Sequence, residues 1–241
     1  MTDEPYRWLE AIANRREYIR EQLKSALPVF AFSLPQGVLL VGVGTGQSKV
    51  FEIYDRQALA ALGHPVDIEK IRQTVLEAAH VEGFTRAAED VTVRRLLNFA
   101  LSPALKSNFE QIFSAPLIVE ALFAEVGVTP AQDVLARVSF DGTYRFETGG
   151  VAVAHIRPPD ESAALAWLKA QLHPEQSLAH VVRLALAAGH VLALGKPFTP
   201  PPAIVDGTPL TVADRIVELA LLERSSDQRA RYRALDAATL T

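Results

Sequence analysis

The chain has no cysteine, one methionine and two tryptophans in 241 residues. Without a thiol there is no disulfide, no thiolate metal site and no cysteine nucleophile, which fits a reducing cytoplasm. No apolar run approaches the roughly 18–20 residues needed to span a membrane. The N-terminus, Thr2-Asp3-Glu4-Pro5, is acidic rather than a basic-then-apolar signal. Positive charge is not in excess either: 24 Lys and Arg stand against 28 Asp and Glu, a net charge of −4. That balance argues against a nucleic-acid or anionic-membrane partner. His80, His155, His173, His180 and His190 show no metal-ligand spacing and read as ordinary surface or core residues, so no metal is expected; no cofactor is expected either. What is present is apolar mass: 49% of residues are hydrophobic and no segment is low-complexity, so a sizeable core is possible. Nothing marks a boundary, and a single domain over residues 1–241 is the expectation.

Residues 7–26 read as one helix or two, with Trp8, Ile12, Ile19 and Leu23 near helical spacing and Pro28 as the stop. Strands are expected at 29–33 and 37–43, around Pro35-Gln36-Gly37, whose Pro and Gly suit a tight hairpin. Two more follow at 49–54 and 57–62; the second is alanine-rich, and propensity alone makes it helix. Pro65 opens a helix to Gly83. Asp90-Val91-Thr92 starts another, which Pro103 should break or bend before it resumes toward Phe113. Residues 117–126 read as a continuous apolar run, followed by strands at 134–140, 143–148 and 151–156, with Asp141-Gly142 as a hairpin turn. Helices at 160–172 and 174–194 precede a surface loop at 196–202, where four of seven residues are proline. Strands at 216–223 and 232–235 close the chain around a polar turn at 225–228. Paired strands alternating with paired helices predict an α+β fold, two stacked sheets with helices on both outer faces.

One motif is a decoy. Gly42-Val43-Gly44-Thr45-Gly46-Gln47-Ser48-Lys49 follows an apolar strand, as a phosphate loop does. That chemistry needs Gly-Lys-Ser/Thr opening into a helix. Here lysine follows serine and Val50-Phe51-Glu52-Ile53-Tyr54 is strand-like, so a glycine-rich hairpin is expected instead.

Glu17-Tyr18-x-Arg20-Glu21 in the first helix, Lys49 fourteen residues before Gly63, Glu52-Ile53-Tyr54-Asp55-Arg56, Asp90-Val91-Thr92 and Asp141-Gly142-Thr143 occur in this order. Together they resemble proteasome α-type subunits, with the strand around Glu52 nearest the actinobacterial form. The resemblance spans residues 14–194 and 213–240. It implies the four-layer αββα sandwich of the N-terminal-nucleophile hydrolases and places the first helix across the two sheets.

In the catalytic relatives of that class a threonine at the lip of the first strand attacks through its hydroxyl, with its own α-amino group as base. In register, the lip here is Leu27-Pro28, and the acidic partner's position falls near Val43. Only Lys49 remains of the threonine–acid–lysine set, so the resemblance implies no catalytic residue. It gives Lys49 a different role: lining, with Ala26 and His64, a pocket between subunits of a seven-membered ring, where an activator's C-terminal carboxylate docks. Snorkelling of Lys49 to solvent and capping of the following helix by His64 are the plainer readings of these two residues.

The resemblance further implies assembly through the first helix (Glu17, Tyr18, Arg20, Glu21, Leu23) and the helix region 90–113, with Leu23 on a stripe buried against neighbours. Residues 1–13, with Tyr6-Arg7 as the nearest remnant of a gate motif beside Pro5, are the candidate pore gate. Residues 196–212 are a proline-rich surface loop. The implied partners are copies of the chain, proteasome β-type subunits, a ring-shaped ATPase or other activator, and unfolded protein in transit, in the cytoplasm. The alternative is an active self-compartmentalising hydrolase of the same fold.

Overall fold

In the computed structural model, which describes residues 5–204, 207–212 and 214–240, the chain begins with helix α1 (Pro5–Leu23) and passes through Leu27-Pro28 into β1 (Val29–Leu34). Pro35-Gln36 turns β1 into β2 (Gly37–Gly44), pairing Leu34 with Gly37. Gly37 has φ 149°, and a β-carbon there would stand 2.0 Å from the Leu222 carbonyl oxygen, so the turn requires glycine. The Gly42–Lys49 segment is not a hairpin. β2 pairs with β1 and β9 in one sheet, and β3 (Val50–Tyr54) pairs with β4 (Gln57–Gly63) in the other, so this segment crosses between sheets.

Helix α2 (Pro65–Thr85) leads to the short α3 (Val93–Leu96), where the Thr92 side chain accepts a hydrogen bond from the Arg95 N–H. Pro103 does not break the helical path. A π turn at Leu97–Leu101 precedes it and places Pro103 in the first turn of α4 (Ser102–Glu110), where its missing N–H costs least. Strands β5 (Val119–Glu125), β6 (Val134–Val138), β7 (Tyr144–Glu147) and β8 (Val151–Ala154) follow, then α5 (Pro158–Gln171), α6 (Leu178–Ala193), β9 (Ile216–Glu223) and β10 (Tyr232–Leu235). Among the described residues, 196–212 hold no helix or strand.

Sheet A runs β10-β9-β2-β1-β8 and sheet B runs β3-β4-β5-β6-β7. Alternation along each strand splits the core in three. Val29, Ala31, Val38, Leu40, Ala58, Ala60 and Leu122 lie between the sheets. Phe30, Phe32, Leu39 and Val41 face α5 and α6. Leu59, Ala61, Ala121 and Phe123 face α2–α4. The layers are therefore helix, sheet, sheet, helix, as expected. Alanine-rich β4 is a central strand with both faces covered, so tertiary pairing overrides its helix propensity.

α1 caps the space between the sheets. Ile19 and Leu23 are each 1% exposed inside that core. Arg15 donates to the Ser114 and Asn108 carbonyls at 2.7 and 3.0 Å, and Arg16 pairs with Asp141 at 2.8 Å in the β6–β7 turn. The expectation that Leu23 faces a neighbouring subunit is therefore corrected: the apolar stripe of α1 is consumed by the chain's own sheets.

The run at 117–126 is not continuously apolar. Glu120 and Glu125 are buried in β5. Glu125 accepts from the Val93 N–H at 2.7 Å, at the start of α3. Glu120 lies beside Arg137 of β6, whose Nε donates to Glu161 at 2.9 Å, Nη2 to the His155 carbonyl at 3.0 Å, and Nη1 to the Ser139 hydroxyl. Glu120 Oε2 is 2.6 Å from Arg137 Nη1 but off the line of its N–H bonds, an ion contact rather than a hydrogen bond. Burial pushes Glu120 up to about 7, against the pull of Arg137. Burial also pushes His155 down to about 4, assisted by Arg157.

Candidate functional site

The crossover from β2 to β3 delivers Lys49 to the edge of sheet B, next to the point where α1 hands the chain to β1. Two backbone bonds fix it there. Glu218 on β9 accepts from the Lys49 N–H at 2.8 Å and from the Val50 N–H at 3.2 Å, both through Oε2. Glu218 is in register with Gly42, where a β-carbon would come within 3.3 Å of the Lys49 β-carbon. The glycine thus leaves room for the lysine to pass.

The Lys49 side chain is half-buried, and its Nζ donates to the Leu27 carbonyl at 3.2 Å. An ammonium has three donors. No carboxylate among the described residues lies within ion-pair distance of it. Around it is a cavity of about 150 Å³ lined by Ala26, Leu27, Gly44, Ser48, Gly63 and Arg215, among others. Burial lowers the Lys49 ammonium to about 8; the Glu218 charge opposes that shift and the Arg215 charge adds to it. The site is a cation held partly out of water with unused donors, which suits an anion of carboxylate size.

Of the three residues expected to line the pocket, Lys49 and Ala26 come together. His64 does not face the cavity with them. It is exposed at the N-cap of α2, between the lining residues Gly63 and Pro65. Its carbonyl accepts from the Asp67 and Ile68 N–H groups at 2.9 and 3.0 Å, while its side chain makes no cap bond. Arg215 and Glu218 were not signalled by any motif. The available clue was a glutamate within the apolar strand at 216–223.

Lys49 also points at the lip where a nucleophile of this fold class would stand. That lip is Leu27, half-buried, and Pro28, buried, with Val43 buried at the end of β2. None of the three side chains carries a group able to attack a carbonyl or to take a proton. Glu17, Tyr18, Arg20 and Glu21 are exposed on the outer face of α1. Arg7 and the backbone of Pro5-Tyr6 lie in its first turn, and residues 1–4 of the candidate gate lie outside the described residues. No helix of the described residues is long and apolar enough to cross a membrane.

No family model matches the chain. It is 31% identical over 224 residues to the proteasome subunit alpha of Paenarthrobacter aurescens, covering 90% of this chain and 85% of that one. It is 34% identical over 229 residues to the proteasome subunit alpha of Actinosynnema mirum, covering 92% and 80%. The proteasome subunit alpha of Streptomyces scabiei is 28% identical over 228 residues, covering 94% and 85%. With a four-layer sandwich, a helix across its sheets and alignments that span at least 90% of its own length at up to 34% identity, the chain belongs to the proteasome α-subunit family.

Proposed function

We propose that this chain is a non-catalytic α subunit, one proteasome-subunit domain that forms the outer, seven-membered ring of a proteasome-type particle in the cytoplasm. Its role is to control the access of unfolded protein to the threonine sites of β-type partners and to dock an activator, such as a ring-shaped ATPase, by its C-terminal tails. The observation that carries the docking role is the Lys49 ammonium, half-buried in a carboxylate-sized cavity with a single hydrogen bond of its own. A tail carboxylate gives it the ion pair the chain withholds. The non-catalytic role rests on Leu27-Pro28 and Val43, since nucleophile and base are one residue in this chemistry and it is absent.

Assembly is supported by surfaces the fold leaves uncovered. Phe84, Phe99 and Phe113 on the α2–α4 side are 92%, 74% and 99% exposed, an arrangement that favours covering by another subunit. On α1 the residues left for a neighbour are Glu17, Tyr18, Arg20 and Glu21, not Leu23. Pro5, Tyr6 and Arg7 begin α1, so any gate consists of the first residues together with that helical turn.

The test is reconstitution with the β-type protein that co-purifies. Lys49→Ala is expected to abolish activator-stimulated protein degradation while rings still assemble and small peptides are still hydrolysed. Removing residues 1–10 is expected to raise peptide hydrolysis without activator. Full stimulation in Lys49→Ala returns the lysine to a strand-edge role, and threonine-directed epoxyketone labelling of this chain overturns the non-catalytic assignment in favour of the self-compartmentalising hydrolase.

A further inference from the structure

We infer that Arg215 is the second cation of the Lys49 pocket, completing with Lys49 a two-point receptor for a carboxylate, and that Glu218 anchors the Lys49 backbone and offsets only one of the two positive charges. This deepens the docking role proposed above and rests on that reading for the identity of the ligand.

Four observations converge. Arg215 lines the Lys49 cavity and also the adjoining groove of about 710 Å³ between α6 and the 201–212 segment, so it stands where the two spaces meet. No carboxylate among the described residues pairs with its guanidinium. Its charge acts on Lys49, holding the ammonium down, so the two cations are near enough to repel. The acid at the site is otherwise engaged: Glu218 Oε2 accepts from two backbone N–H groups, and the carboxylate is beyond pairing distance of Nζ. Lys49, Arg215 and Glu218 therefore sum to one positive charge. The other titratable groups nearby are His64 at the rim and Tyr232, which is raised by burial and by Glu218 and Glu52.

A carboxylate has two oxygens and carries the one negative charge the pocket lacks. Arg offers a planar fork and Lys a point charge, so one ligand can meet both. Binding replaces cation–cation repulsion with two charge-assisted contacts. Recognition requires the charged lysine, and with burial pushing it down to about 8 Lys49 is mainly protonated at pH 7. The receptor is thus charged at neutral pH and loses its charge in the pH unit or two above.

The experiment uses the full-length chain with its lysines carrying ¹³C-methyl labels. There are six lysines, and Lys49→Arg identifies the resonance of interest. The probe is acetate, with acetamide as the uncharged control. Acetate is expected to raise the Lys49 midpoint and acetamide to leave it unchanged. Arg215→Gln is expected to raise the midpoint in the absence of acetate and to weaken acetate binding by about tenfold or more. Arg215→Lys, which keeps the charge but loses the fork, is expected to fall between. Glu218→Gln is expected to lower the midpoint further.

Unchanged acetate affinity in Arg215→Gln overturns the two-point receptor while leaving the Lys49 docking role standing. An unmoved midpoint in Glu218→Gln overturns the charge balance assigned to the pocket. Acetate binding that depends on Arg215, in a chain whose Lys49→Ala variant is still fully stimulated by activator, supports the receptor and removes the activator tail as its ligand.

Discussion

Arg137 and Lys49 are both cations drawn out of water, and the fold treats them in opposite ways. Arg137 uses all three guanidinium nitrogens on Glu161, the His155 carbonyl and Ser139, with Glu120 in ion contact. Glu161 in turn accepts from the His155 N–H at 2.7 Å and from Arg145. Lys49 makes one bond, to a carbonyl, beside an open cavity. A buried charge is tolerated when its partners are present in the chain, and the shortage of partners at Lys49 is what the proposed docking role rests on. The first site joins elements; the second joins only the end of β2's crossover to the Leu27 carbonyl.

That contrast can be broken at its strong end first. Arg137→Ala leaves Glu120 buried without a cation and Glu161 with Arg145 alone, and is expected to lose about 3–5 kcal/mol of stability, measured by denaturant unfolding. A loss under 1 kcal/mol shows that Arg137 is not holding the sheets together.

Lys49→Met should go the other way. The folded chain holds Lys49 near 8 against an ordinary value of 10.5. The unfolded state therefore binds more protons between those values, and wild-type stability rises with pH from about 8 to 10.5. Removing the charge is expected to stabilise the chain by up to about 3 kcal/mol at pH 7 and to flatten that rise. A destabilised Lys49→Met variant rules out a destabilising charge at this position.

The smallest effect is a slope. Glu120 goes from 4.5 to about 7 on folding, and His155 from 6.5 to about 4. Raised Glu120 makes stability fall as pH rises through its window, and lowered His155 makes stability climb through nearly the same window. The two offset each other in the wild type. The charged groups facing them are Arg137, Glu161 and Asp141 for Glu120, and Arg157, Asp160 and Arg137 for His155. Glu120→Gln is expected to expose the His155 contribution, a climb of about 1.4 kcal/mol per pH unit between pH 4 and 6.5. A flat profile in that variant rules out the lowered His155.

Most elements were legible because their signals are local. Pro35-Gln36-Gly37, Asp141-Gly142 and Pro65 fix turns and a helix start through backbone geometry, and all three stand where expected. Lys49 and Ala26 were legible through a family pattern rather than through chemistry. The misses are long-range. Whether 42–49 is a hairpin or a crossover depends on which sheet receives β3. Whether Leu23 faces a neighbour or the chain's own core depends on how α1 lies across the sheets. Glu120 and Glu125 are hidden inside an apolar stretch because their partners, Arg137 and Val93, are set by strand pairing and helix placement. Arg215 and Glu218 come to Lys49 from more than 160 positions away in sequence, and no spacing rule links them.

The topology also bears on the order in which the chain is made. Every strand of sheet B lies between residues 50 and 147, so that sheet can be complete while the ribosome is still at work. Sheet A cannot, because β2 waits for β9, which begins at Ile216. Until then the eight residues of β2, Gly37–Gly44, present a bare apolar edge. Such an edge can recruit a second nascent chain. A polypeptide cut short before Ile216 carries that hazard permanently, and the last strands made are what close it.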